Sequence, residues 1–132
     1  MSELRLSIKQ LNVSASQATV REHKVVIDRP TEKDGNNQGP MGGELFLIGL
    51  GGCFMSNLLA AIKARNINIT DVNIDITSKV AGSPLKFTEI HFQISALHEN
   101  KTEFEKLVVI AERSCIVANS IKDFIPITIT IK

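Results

Sequence analysis

The segment that decides the fold is residues 44–65, ELFLIGLGGCFMSNLLAAIKAR. Its first half is apolar on nearly every side, and its last turn carries Lys63 and Arg65, two cations that suit the C-terminal end of a helix dipole. The segment predicts a buried central helix from Glu44 to Arg65. A helix that is apolar all round needs partners on all sides, and a homodimer in which two such helices share one core would supply them.

The glycines in the first half of this helix bear on its continuity. Gly49, Gly51 and Gly52 each cost about 1 kcal/mol relative to alanine in a helix, which indicates either a close backbone contact or a break. If the helix restarts after Gly52, Cys53 lies near a helix N-terminus, where the dipole favours a thiolate. If the helix is continuous, that benefit is lost. The residues leave both alternatives open.

Alternating apolar and polar residues predict strands on both sides of the helix. The predicted strands cover residues 4–13, 17–28, 71–80, 87–97 and 125–131. The tripeptide Gly82-Ser83-Pro84 predicts a hairpin turn between the third and the fourth strand. The stretch RPTEKDGNNQGPMGG at residues 29–43 has the glycine and proline content of a loop.

A second helix is predicted to begin at Thr102 as its N-cap. Its apolar residues follow steps of four and three, which are helical: Phe104, Val108, Ala111, Cys115 and Ala118. The predicted element order is therefore ββ-α-ββ-α-β. Because the strands come in pairs, we expect an α+β fold with antiparallel sheets around the central helix, in a single domain spanning residues 1–132.

Composition and charge exclude several classes of function. The 132 residues include 15 Lys+Arg and 14 Asp+Glu, for a net charge of +1, so no nucleic-acid partner is expected. Glycines and polar residues interrupt the most apolar segment, so no membrane span is expected. The first ten residues, MSELRLSIKQ, lack the features of a secretory signal, which favours a cytoplasmic location.

Histidine and cysteine side chains are the ones that could serve here as metal ligands or redox groups. His23, His91 and His98 are scattered rather than set at ligand spacing, so no metal and no cofactor is expected. Two cysteines, Cys53 and Cys115, are too few for a secreted disulfide scaffold. On composition alone, a free cysteine is more often a small buried apolar residue than a reactive thiol. A redox role is therefore a hypothesis that needs another observation.

The further observation that supports a redox role is a resemblance to a known protein family. The run GPMGGELFLIGLGGCF at residues 39–54, followed by AERSCIVANSI at residues 111–121, resembles the two cysteine motifs of the OsmC/Ohr family. The sequence of these motifs is most similar to that of the smaller OsmC-like branch of the family. The resemblance covers essentially the whole chain. It implies an OsmC-like fold in an intertwined homodimer, with each active site at the subunit interface.

The resemblance also implies a reaction, the thiol-dependent reduction of organic hydroperoxides. Cys53 would attack the peroxide and become a sulfenic acid, and Cys115 would then form a disulfide with it. A dithiol reductant, such as a lipoylated protein, would restore both thiols. Apolar side chains expected near Cys53, which are Phe46, Leu50 and Phe54, would favour bulky organic hydroperoxides over hydrogen peroxide.

Family peroxidases use an arginine and a glutamate beside the reactive thiol. The position of the Ohr-type glutamate is Gly43 here, and the adjacent Glu44 is the candidate. For the arginine we favour Arg29, at the start of the long loop, over Arg21 in the second predicted strand. The missing glutamate leaves open an alternative function, a non-catalytic dimer that binds a small hydrophobic ligand or senses redox state.

Overall fold

The computed structural model describes residues 2–132, which form two compact units divided between Phe46 and Leu47. The first unit contains an antiparallel sheet of three strands in the order β1-β2-β3, followed by a short 3₁₀ turn and the beginning of helix α1. Their bounds are β1 Ser7–Gln10, β2 Ser16–Val20, β3 His23–Ile27, the turn Thr31–Lys33 and α1 Gly42–Ala64. Helix α1 continues into the second unit.

The second unit contains the rest of α1, a second three-stranded sheet and two further helices. The bounds are β4 Thr70–Ala81, β5 Lys86–Leu97, α2 Lys101–Ser114, α3 Ile116–Ile121 and β6 Ile127–Ile131. The sheet order is β4-β5-β6. The predicted α+β class is confirmed.

Three details differ from the sequence-based prediction. Residues 17–28 hold two strands rather than one, because the chain turns at Arg21, whose φ is 53°. Strand β6 pairs with β5 in parallel, not antiparallel, because the connection between them contains two helices and is long enough to cross over the sheet. Helix α2 is capped by Asn100 rather than Thr102, since the Asn100 side chain accepts a hydrogen bond from the Glu103 N–H at 3.1 Å.

The core of the second unit forms between one face of α1, strand β5 and helix α2. Its buried side chains are Leu50, Phe54, Leu58, Ala61 and Ile62 from α1, Ile90, Phe92 and Ile94 from β5, and Phe104, Leu107, Val108 and Ala111 from α2. Phe54 and Phe92 meet edge to face, with ring centroids 5.4 Å apart. A Cβ atom on Gly51 would lie 2.5 Å from Cδ1 of Ile76, so this glycine allows α1 to approach β4 closely.

The loop after β3 in the first unit is organised by the carboxylate of Asp28, which is only 3% exposed. Oδ1 accepts a hydrogen bond from the Arg29 N–H at 2.7 Å, and Oδ2 accepts from the N–H groups of Asn36 and Gln38, each at 3.2 Å. Burial raises the pKa of Asp28, but these backbone donors and the Ser14 hydroxyl outweigh it and hold the pKa below its ordinary value. The loop is therefore built around an ionised carboxylate.

By length and composition, α1 could cross a membrane, and within residues 2–132 it is the one helix that could. Of the apolar window in α1, 33% is buried inside the structure. The core helix of a soluble protein passes the same test, so this property is weak evidence for a membrane span. The expectation that the chain has no membrane span stays a prediction.

Candidate functional site

Cys53 lies in the middle of a continuous helix, since α1 runs unbroken from Gly42 to Ala64. The alternative in which the helix restarts after Gly52 is wrong, and Cys53 gains nothing from the N-terminus of its own helix. Its side chain is half-buried. Leu50 and Phe54, expected to line a substrate pocket beside it, are instead fully packed in the core at 0% and 1% exposure.

Cys115 lies at a break in the second helical segment, between α2 and α3. Its backbone is extended, with φ −76° and ψ 105°, so it ends α2 and serves as the N-cap of α3. Its sulfur accepts a hydrogen bond from the Ala118 N–H at 3.4 Å and lies 4.0 Å from the carbonyl oxygen of Leu50. The residue has no exposed surface. The predicted apolar stripe is confirmed, but the helix that carries it is divided at this cysteine.

The two cysteines are both free thiols, and their side chains lie within hydrogen-bonding reach of each other. Burial raises the pKa of Cys53, but the Val117 N–H, the thiol of Cys115 and the Ile116 N–H outweigh it and hold this pKa below its ordinary value. Burial raises the pKa of Cys115 above its ordinary value, and its hydrogen bond and charge interaction with Cys53 raise it further. The geometry therefore favours a thiolate at Cys53 and a neutral thiol at Cys115.

The N–H groups that face Cys53 come from the first turn of α3. The residue pattern of α1 had instead left open a helix N-terminus just before Cys53. Because Cys115 caps α3, the N–H groups of Ile116 and Val117 face the sulfur of Cys53. Sequence reasoning missed these two donors, since backbone N–H groups leave no signature in residue type. It also missed Asn57, one turn after Cys53 on α1, whose amide Nδ2 lies 4.0 Å from the Cys53 sulfur.

Glu44, Arg29 and Arg21 lie in the first unit. The carboxylate of Glu44 accepts a hydrogen bond from the Met41 N–H at 2.9 Å and so caps the beginning of α1. Arg29 is exposed and lines a cavity of about 480 Å³, together with Lys33 and Asp28. Arg21 is exposed in the turn between β2 and β3. A role for any of the three toward the thiolate stays a prediction.

The histidines occupy separate places. Both ring nitrogens of His91 bond to threonine hydroxyls of β6, Thr128 at 2.6 Å and Thr130 at 3.0 Å. His98 stacks on Phe104, with centroids 5.3 Å apart. Within residues 2–132, no three His, Cys, Asp or Glu side chains form a group that could hold a metal ion.

The model of the OsmC-like protein family matches residues 35–130 of the chain. The match includes both cysteines and the helices that carry them. No protein of curated function matches the chain in sequence.

Solved structures show the same fold along the whole chain. A putative osmotic stress induced and detoxification response protein from Psychrobacter arcticus superimposes with a TM-score of 0.86 at 18% identity, covering 100% of this chain and 98% of that one. An OsmC-like protein from Mycoplasma pneumoniae has a TM-score of 0.83 at 17% identity, with 99% and 96% covered. The organic hydroperoxide resistance protein of Bacillus subtilis has a TM-score of 0.72 at 17% identity, with 99% and 98% covered. At these identities the likeness establishes the fold alone.

Proposed function

The chain belongs to the OsmC-like protein family, and from this premise we propose that it is a thiol peroxidase that reduces organic hydroperoxides. The observation that carries the proposal is the paired thiols of Cys53 and Cys115, with the pKa of one lowered and that of the other raised. A half-buried thiol of lowered pKa beside a buried thiol of raised pKa is the arrangement that a peroxidatic and a resolving cysteine require.

In the first step, the Cys53 thiolate attacks the terminal oxygen of the hydroperoxide. A sulfur–oxygen bond forms and the oxygen–oxygen bond breaks, so the sulfur is oxidised to a sulfenic acid and the peroxide is reduced. The alkoxide leaves, takes a proton and becomes an alcohol. The N–H groups of Ile116 and Val117 favour this step, because they help to hold the pKa of Cys53 below its ordinary value and so raise the fraction of thiolate at neutral pH.

The second step uses the coupling between the two sulfurs. Burial raises the pKa of Cys115, and so does the neighbouring Cys53 through its hydrogen bond and its charge. When Cys53 becomes a sulfenic acid, that negative charge is gone and the pKa of Cys115 falls. Cys115 then loses its proton more readily and attacks the Cys53 sulfur, which releases water and forms the disulfide. The Cys53 thiol therefore ionises more readily for the first step, and the Cys115 thiol ionises more readily only once the second step is due.

A dithiol of another molecule completes the cycle by exchanging with the disulfide, which leaves that molecule oxidised and both cysteines reduced. A lipoylated protein fits this chemistry. Because the cycle needs both thiols restored after each turnover, we place the protein in a reducing compartment, the cytoplasm.

We also propose that the working form is a homodimer. The face of α1 opposite the core is exposed, and it combines large apolar side chains with positions where a neighbouring helix can approach closely: Ile48 and Leu59, which are 56% and 50% exposed, and Gly49, Gly52 and Ala60. A Cβ on Gly49 or Gly52 would meet no atom within 4 Å. A second copy of α1 would remove this apolar face from water.

Two experiments test these proposals. Consumption of cumene hydroperoxide, measured with a dithiol reductant in excess, should be fast for the native chain and absent for Cys53→Ser. Sedimentation should give about twice the 14.5 kDa chain mass, and Leu59→Arg should shift it toward the single chain. Leu85→Arg, at a turn where the native leucine is 76% exposed, is the matched control and should leave the mass unchanged.

The outcomes separate the alternatives. Equally slow consumption by the native chain and by Cys53→Ser would contradict the peroxidase proposal and favour a dimer that binds a small hydrophobic ligand or senses redox state. A single-chain mass at micromolar concentration would contradict the dimer, whatever the activity.

A further inference from the structure

Asn57 is a half-buried polar residue in a mostly apolar stretch of α1. It lies between the core residues Phe54 and Leu58, which are 1% and 0% exposed. Asparagine is a weaker helix former than its apolar neighbours, and a polar group in such surroundings costs free energy unless it is hydrogen-bonded. The contact that the Asn57 side chain makes is with the Cys53 sulfur, 4.0 Å from Nδ2.

This distance is long for a hydrogen bond to the sulfur itself. Burial, which raises the pKa of Cys53, is outweighed by the N–H groups of Val117 and Ile116 and the thiol of Cys115, and Asn57 is not among these causes. Asn57 therefore contributes little to holding the thiolate. Its amide can instead donate to an acceptor that comes to lie beside the sulfur during the reaction.

An oxygen atom bonded to the sulfur provides that partner. A separation of 4.0 Å between Nδ2 and Sγ leaves room for one oxygen between them, at roughly 2.7–3.2 Å from the amide nitrogen, the ordinary range of an N–H···O hydrogen bond. Asn57 and Cys53 lie one turn apart on the same continuous helix, which keeps their side chains on neighbouring positions of one face. The amide is in place before the oxygen arrives, which is the condition for stabilising a transition state.

We propose that Asn57 is a catalytic residue that donates a hydrogen bond to the oxygen being transferred to Cys53. The inference rests on the proposed peroxidase function and adds a residue to it. As the thiolate attacks, the sulfur–oxygen bond forms, the oxygen–oxygen bond breaks and the alkoxide takes a proton. The oxygen that stays on sulfur receives the Asn57 N–H, both in the transition state and in the sulfenic acid.

The test compares peroxidation with alkylation in the full-length chain. Asn57→Ala should lower kcat/KM for cumene hydroperoxide by about 10-fold or more, since removing one such donor in other enzymes costs up to 10²–10³-fold. The rate at which iodoacetamide alkylates Cys53 at pH 7 should change less than about twofold, because the groups that hold the thiolate remain. Asn57→Leu removes the donor without adding a charge beside the thiolate and should also lose peroxidation. Asn68→Ala, at an exposed asparagine outside α1, should match the native chain.

A second readout follows the intermediate. In the Cys115→Ser background, where the sulfenic acid persists, Asn57→Ala should shorten its lifetime as measured by trapping with dimedone. Unchanged kcat/KM in Asn57→Ala, with Cys53→Ser inactive, would overturn the role of Asn57 and leave the proposed function intact. Equal losses in alkylation and peroxidation would also overturn it, because Asn57 would then act on the thiolate. Equal rates for the native chain and Cys53→Ser would overturn both proposals together.

Discussion

Burial raises the pKa of both thiols, yet the hydrogen bond between Cys53 and Cys115 moves the two pKa values in opposite directions. The S–H of Cys115 stabilises the negative charge on Cys53, and that charge in turn holds the proton on Cys115. Two identical side chains thus differ in pKa because one lies before the N–H groups of α3 and the other is buried and caps that helix.

The first prediction concerns the order of alkylation. With substoichiometric iodoacetamide at pH 7, Cys53 should be labelled well before Cys115, because its pKa is lowered and its side chain is half-buried, whereas Cys115 has a raised pKa and no exposed surface. Peptide mass spectrometry of the folded protein measures the order. Faster labelling of Cys115 would reverse the roles proposed for the two thiols.

The second prediction separates the two contributions of Cys115. Cys115→Ala removes both the cap of α3 and the donor to Cys53, so it should destabilise the protein by about 1 kcal/mol and slow the alkylation of Cys53 at pH 7. Cys115→Ser keeps a cap and a donor, so it should alkylate faster than Cys115→Ala. It should also complete one stoichiometric turnover with peroxide and then stop. Equal alkylation rates in the two variants would mean that the Cys115 side chain does not tune Cys53.

The helices and strands with the clearest apolar pattern could be predicted from the sequence, because that pattern lies within each element. Helix α1 was predicted at residues 44–65 and runs from Gly42 to Ala64. Its continuity could not be predicted, because the need for Gly51 arises from Ile76, a contact distant in sequence. The break at Cys115 was likewise hidden, since the apolar stripe stays in phase across it and residues 101–114 contain neither glycine nor proline.

The candidate site was predicted only in part. The pairing of Cys53 with Cys115 came from the family resemblance, because their spacing alone says nothing about proximity. The donors Ile116 and Val117 act through backbone N–H groups, which any residue has. Asn57 did leave a signal, since an asparagine one helical turn after a candidate cysteine in an apolar helix is a polar residue without an evident structural purpose.

The third prediction tests the close approach of α1 to β4. Both glycine variants are made in the Leu59→Arg background, so that no partner helix lies on the exposed face of α1. Gly49→Ala adds a methyl group where no atom of the chain lies within 4 Å, so the gain in helix propensity should stabilise the protein by up to about 1 kcal/mol. Gly51→Ala should stabilise it less or not at all, since its methyl group would lie 2.5 Å from Ile76 Cδ1 and that side chain must move. Urea denaturation of both variants measures the difference. Equal gains at the two positions would show that Gly51 does not limit the packing.

The last prediction concerns the pH dependence of the loop after β3. The pKa of Asp28 is lowered in the folded protein, against the effect of burial, by the N–H groups of Gln38, Arg29 and Asn36 and the hydroxyl of Ser14. A lowered folded pKa means that its contribution to stability is fully present above the unfolded value, about 3.9, and is lost as the pH falls through the folded pKa.

Asp28→Asn replaces one acceptor oxygen by an amide that cannot accept from the backbone N–H groups now bonded to the carboxylate. At pH 7 the variant should therefore have a lower Tm than the native chain and faster proteolysis within residues 29–40. The Tm difference should shrink as the pH falls below about 4, because the unfolded native chain then binds a proton at Asp28, and the folded chain does so only at lower pH, below its lowered pKa. Asp34→Asn is the matched control, since Asp34 is exposed in a left-handed conformation that asparagine also adopts, and it should change neither property. A Tm difference for Asp28→Asn that stays constant from pH 7 to pH 3 would show that the charge of Asp28 does not stabilise this loop.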